Sequence, residues 1–110
     1  MINGATPQQV HGLIARGEVE VIDVREPGEW SGGHIAGARL VPLNQLRANP
    51  KAALLRDGIV FVCAAGVRSM AAARIATSLG FERIYNLEGG TRAWLGAGLE
   101  LVKDQLEVAI

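Results

Sequence analysis

Apolar residues recur at helical spacing in two stretches of the chain and gather into short β-rich runs in three others. Thr6, Pro7 and Gln9 supply a capping hydroxyl, a proline at the first helical position and a Gln at the third, and Val10, Leu13 and Ile14 follow on one face. This predicts a helix from Pro7 to Arg16, ended by Gly17. Val19 to Val24 reads as a strand. Pro27, Gly28, Gly32, Gly33 and Gly37 then break the chain into a long shaped connection, with room for one helical turn between Glu26 and Trp30. Arg39 to Leu43 is a weak strand candidate, and Leu46 to Leu55 holds two short helical pieces split at Asn49 and Pro50. Ile59 to Cys63 is continuously apolar, the pattern of a central strand covered on both faces. Ala72, Ile75, Ala76 and Leu79 define a helix from Ser69 to Leu79, ended by Gly80. Ile84 to Leu87 is a further strand, Gly90 to Leu95 a further helix, and Leu99 to Val102 a last edge strand or packed tail.

Strands alternating with helices predict an α/β fold, a parallel sheet with helices on both faces. At 110 residues the chain makes one domain over 1–110. Eleven Lys and Arg balance eleven Asp and Glu, which argues against a nucleic-acid or anionic-membrane binder held by bulk charge. The first residues lack the basic start and apolar run of a signal peptide, and no stretch approaches the ~20 apolar residues of a membrane span. A cytoplasmic location is the expectation.

Cys63 is the only cysteine, so no internal disulfide forms, and no nearby Cys or His has zinc-site spacing. Neither metal nor organic cofactor is expected. A lone Cys closing an apolar strand is often a small buried hydrophobe. Its position favours chemistry as well: ligands of parallel sheets sit beyond the carboxyl ends of the strands, and the connection from Cys63 leads to a predicted helix start at Ser69. Amides at a helix N-terminus lack intrahelical partners and stabilise a thiolate, Gly66 lets the loop turn its N–H groups inward, and Arg68 adds a positive charge.

Three blocks carry a family resemblance. Asp23-Val24-Arg25-Glu26-Pro27-Gly28-Glu29-Trp30, followed by Gly33-His34-Ile35-Ala36-Gly37-Ala38, resembles the opening signature of rhodanese (sulfurtransferase) domains. Cys63-Ala64-Ala65-Gly66-Val67-Arg68-Ser69 is similar to their active-site loop, and Leu87-Glu88-Gly89-Gly90-Thr91-Arg92-Ala93-Trp94 to their closing signature. The blocks stand in family order and spacing across essentially the whole chain.

The resemblance implies a five-stranded parallel sheet with Cys63 as nucleophile and Ala64, Ala65, Gly66, Val67, Arg68 and Ser69 as the substrate-binding loop. It further implies that Cys63 takes a sulfane sulfur from thiosulfate or a persulfide and passes it to cyanide, a thiol or a protein acceptor. Asp23 and Arg25 match family positions and are expected to brace the loop rather than meet the donor. His34 is expected to make a structural hydrogen bond, because sulfur transfer needs no base once the thiolate exists. Trp30 and Trp94 are expected to pack. Ala64, Ala65 and Val67 depart from the polar or basic residues common in family loops, so Arg68 is the loop's single positive side chain and thiosulfate an unfavoured donor. A phosphatase or arsenate reductase is a rival, but it resembles Cys and Arg separated by five residues, whereas four separate Cys63 from Arg68. A protein-dedicated sulfur carrier and a non-catalytic interaction module remain as alternatives.

Overall fold

Ile59, Val60, Phe61 and Val62 are fully shielded from solvent in the computed structural model, which describes residues 1–103. They form the central strand of a five-stranded sheet. In chain order the elements are β1 (Ile2–Ala5), α1 (Pro7–Ala15), β2 (Glu20–Asp23), α2 (Pro27–Ser31), β3 (Arg39–Leu40), α3 (Leu43–Ala48), α4 (Pro50–Ala53), β4 (Ile59–Val62), α5 (Val67–Ser78), β5 (Ile84–Leu87) and α6 (Gly90–Gly96). The strands lie in the order β1-β5-β4-β2-β3, and every pairing is parallel.

Because side chains alternate across a strand, β4 feeds two cores. Ile59 and Phe61 meet Leu46, Leu54, Ala72, Ala73 and Ala76 from α3, α5 and the chain after α4. Val60 and Val62 meet Val10 of α1 and Trp94 of α6 on the opposite face. Cys63 belongs to the first cluster, beneath α5.

The register brings the carboxyl ends of three strands together. Asp23, last in β2, pairs with Val62, and Asn86 of β5 pairs with Phe61.

The structure departs from the expectations at two points and decides between two alternatives at a third. A strand, β1, precedes α1: Ile2, Asn3, Gly4 and Ala5 lack the β-branched run of the other strands and are ordered by pairing with Ile84 to Leu87. Leu99 to Val102 forms a packed tail rather than a strand, joined to the 27–38 connection by one antiparallel bridge in which His34 and Val102 exchange N–H to O bonds of 2.8 Å each. Finally, α5 begins at Val67, two residues before Ser69. Gly66 precedes it at φ +100°, a conformation that L side chains rarely adopt, and this left-handed turn swings the first helical turn over the end of β4.

Candidate active site

Cys63 is the first residue beyond β4 and is 1% exposed. Its sulfur receives the Gly66 N–H at 3.1 Å and the Ser69 N–H at 3.3 Å, and it lies 3.3 Å from Ser69 Oγ. Ser69 is itself fully buried and donates its hydroxyl to Asn86 Oδ1 at 2.5 Å. The orientation of the Asn86 amide follows from its other end, where Nδ2 donates to the Gly66 carbonyl at 3.2 Å. The single Ser69 hydroxyl proton thus has two acceptors, Asn86 Oδ1 and Sγ. A thiol donates to Oγ and leaves that proton with Asn86; a thiolate accepts it.

Burial alone pushes the Cys63 thiol up, since it penalises the charged form. Hydrogen bonds from the Ser69 hydroxyl and from the amides of Ser69, Ala65 and Gly66 outweigh that penalty, and the net shift is below the ordinary thiol value. The arrangement favours the thiolate, the nucleophilic form, relative to an unperturbed cysteine.

The back wall of the loop comes from β5 and α6. Thr91 N–H donates to the Cys63 carbonyl at 2.8 Å and Arg92 N–H to the Ala64 carbonyl at 3.1 Å. Gly90, at φ +61°, presses so closely that a Cβ there would collide with the Cys63 carbonyl and the Ala64 backbone. The tight connection from β5 into α6 at Glu88 to Gly90 therefore also clamps the cysteine loop.

Two ion pairs flank the sulfur. Arg25 grips Asp23 through Nε (3.0 and 3.1 Å) and Nη2 (2.8 Å), and reaches the Gly33 carbonyl at 2.8 Å. Both side chains are buried, so the pair ties the end of β2 to the connection after α2. Arg68 is engaged bidentately by Glu29, at 2.7 and 2.9 Å. Glu29 is positioned by its place in the first turn of α2, where Oε1 also accepts the Glu26 N–H at 2.9 Å. The Arg68 contact holds the Glu29 carboxyl at about 2, well below the usual carboxylate range, and Glu29 in turn raises Arg68. Arg68 also feels the Cys63 charge.

The structure places Ala64 to Ser69 on the turn that leads from Cys63 into the start of α5, and the bonds of Asp23 and Arg25 run to each other and to the connection at Gly33 rather than to the cysteine loop. Val67 points outward, 77% exposed. His34 is buried, with Nδ1 3.1 Å from the Trp30 carbonyl and its ring stacked on Trp30 at 3.5 Å; Trp94 is in the core with Nε1 donating to the Glu100 carbonyl. Three contributors were not identified from sequence: Asn86, Glu29 and Gly90 as a clamp. Asn86 carries a signal in retrospect, a polar residue in an otherwise apolar strand that needs a buried partner. Among the described residues no three His, Cys, Asp or Glu side chains gather as a metal-ligand set.

A parallel α/β sheet with an amide-cradled cysteine at the end of its central strand defines a protein with a candidate thiolate nucleophile on a cysteine loop. The rhodanese-like domain family model matches residues 6–97, and the chain belongs to that family. It is 33% identical over 88 residues to the thiosulfate sulfurtransferase GlpE of Stutzerimonas stutzeri, covering 80% of each chain. It is 42% identical over 79 residues to the uncharacterized protein YqhL of Bacillus subtilis, covering 72% of this chain and 63% of that one. A crystal structure of a rhodanese-related protein from Thermoplasma volcanium superposes with a TM-score of 0.84 at 33% identity, over 93% of this chain and 99% of the other.

Proposed function

We propose that this protein is a sulfurtransferase that carries a sulfane sulfur on Cys63, within a single domain over 1–110 acting in the cytoplasm on small sulfur compounds rather than on nucleic acid or membrane. The observation that carries this reading is the cradle of Cys63: two backbone N–H groups and one hydroxyl converge on a buried sulfur. The family, with its relatives named thiosulfate sulfurtransferase, supports it.

In the first half-reaction the Cys63 thiolate attacks the sulfane sulfur of thiosulfate or a persulfide. The donor's S–S bond breaks, its electron pair leaves with sulfite or a thiolate, and a Cys63 persulfide remains. The acceptor, cyanide or a thiol, small or on a protein, then attacks the outer sulfur. Thiocyanate or a new persulfide departs, and the Cys63 thiolate returns. No proton transfer to a base is needed, consistent with His34 being engaged in the 27–34 connection. The amides of Gly66 and Ser69 hold the Cys63 sulfur, the loop from Ala64 to Ser69 is where the outer sulfur would be received, Arg68 stands at the rim, and Asp23 and Arg25 hold the neighbouring connection in place.

A phosphatase reading fits less well. A phosphate over the thiolate needs a guanidinium free to grip it, whereas Arg68 is occupied by Glu29. Incubation with thiosulfate followed by intact-mass measurement tests the proposal: the protein should gain one sulfur, about 32 Da, and lose it on adding cyanide. A mass unchanged with both thiosulfate and a persulfide would refute it.

A further inference from the structure

The charges around the sulfur cancel in pairs. Asp23 is spent on Arg25 and Glu29 on Arg68, so the ionised site carries the single negative charge of the Cys63 thiolate. The loop side chains Ala64, Ala65 and Val67 add none. The cation that the sequence offers to an anionic donor is thus already occupied by a carboxylate 39 positions earlier in the chain.

The consequence differs sharply between donors. Thiosulfate transfer brings a dianion onto a thiolate: three negative charges enter, and they leave as a persulfide anion and sulfite. Transfer from a hydropersulfide, R–S–SH, brings an uncharged reacting group: Cys63 sulfur bonds to the outer sulfur, the R–S bond to it breaks with its electron pair leaving on R–S⁻, and the proton stays with the new Cys63–S–SH. Only the first reaction has a charge barrier that a free guanidinium would lower.

We infer that Glu29 is a specificity-determining residue of the Cys63 site, withholding the Arg68 charge and thereby selecting hydropersulfides of thiols over sulfonate-bearing donors. This rests on the sulfurtransferase reading. Glu29→Gln is the informative variant, because its amide oxygen still accepts the Glu26 N–H and keeps the first turn of α2. Its amide nitrogen, facing a guanidinium N–H, breaks the bidentate grip.

The experiment measures the second-order rate of Cys63 persulfide formation by quenched intact mass, with thiosulfate and with the hydropersulfide of 2-mercaptoethanol, in wild type, Glu29→Gln, and Glu29→Gln with Arg68→Gln. The thiosulfate-to-hydropersulfide rate ratio should rise about fivefold in Glu29→Gln, the size of one half-exposed charge contact, with the gain shrinking as salt is added. In the double variant the ratio should return to within about twofold of wild type, because a neutral pair has been removed whole. Arg92, exposed on the first turn of α6, is present throughout and cancels in the comparison. A ratio unchanged in Glu29→Gln, or a double variant whose ratio falls more than about threefold below wild type, overturns the inference. If Glu29→Gln does not fold, Glu29→Ala, which frees the same guanidinium, takes its place with the same expected rise and the same overturning result. Loading by neither donor in wild type would sink the sulfurtransferase reading and this inference with it, whereas loading with no change of ratio sinks the inference only.

Discussion

Burial pushes the Cys63 thiol up and hydrogen bonds to its sulfur push it down, and the second effect wins. Cys63→Ser tests which atom matters: an alcohol of similar size keeps the packing beneath α5 but supplies no thiolate at neutral pH. Persulfide formation should vanish while circular dichroism stays that of the wild type; turnover above a few per cent would mean another nucleophile. The pH dependence follows from the same contacts. A thiol whose pKa is lowered by folding is thiolate above that pKa, so alkylation should rise with pH to a midpoint below the ordinary ~8.5. Ionisation then stabilises the fold above the unfolded-state pKa, and this contribution is lost as pH falls through the folded one. Ser69→Ala removes the hydroxyl, the largest opponent of the burial penalty, so the alkylation midpoint should move up. A midpoint unmoved by the substitution would show that backbone amides alone hold the thiolate. Cys63, Gly66, Arg68 and Ser69 are legible in the sequence because they lie within one short stretch of chain. Glu29 and Asn86 are not, since their roles depend on contacts across 39 and 17 positions that only the folded sheet creates.

At the scale of elements, the loop is shaped by the glycines that adjoin it rather than by its own side chains. Gly66 turns the chain into α5, and Gly90 at the start of α6 lets Thr91 and Arg92 reach the carbonyls of Cys63 and Ala64. Gly90→Ala combines a positive φ with a collision against backbone that has no way to yield, so we expect a loss of about 2–3 kcal/mol or more. Denaturant unfolding should show that loss together with slower Cys63 alkylation. Gly96 is the internal comparison: it lies in α6 with no atom that a Cβ would meet and no positive φ. Gly96→Ala should stabilise by about 0.5–1 kcal/mol through reduced freedom of the unfolded chain. Equal losses at both positions would remove the argument that Gly90 is a clamp. Sequence pattern located β2, β4, β5, α1 and α5 because each carries a continuous run or helical spacing strong enough to stand alone. β1 has neither: two of its four residues, Asn3 and Gly4, are poor strand formers, and its order is borrowed from β5.

For the molecule as a whole, the site exists where the carboxyl ends of β2, β4 and β5 meet, and the connection carrying Glu29 must be held against that edge. Asp23 and Arg25 do this from inside: one at the end of β2, the other two residues on, bridging to the Gly33 carbonyl, with both side chains nearly inaccessible to water. The energetics of such a pair are asymmetric. Formed, it roughly offsets the cost of desolvating two charges; broken from one side, it strands the other charge in the interior. Arg25→Ala leaves the Asp23 carboxylate buried beside Val24 and Val62 without its cation, and should cost about 3–5 kcal/mol. Set against a typical domain stability of about 5–15 kcal/mol, that is a large share, and the melting temperature should fall by roughly 15–25 °C. Replacing both members, Asp23→Asn with Arg25→Met, removes the stranded charge and should recover most of the loss, even though one more native contact is gone. Thermal melts of the wild type, the single and the double variant distinguish the two ideas. If the double variant were the less stable, the pair would be a net attractive contact. If it were the more stable, with Cys63 alkylated more slowly than in the wild type, the pair would be a device for holding the 27–33 connection in register rather than a source of stability.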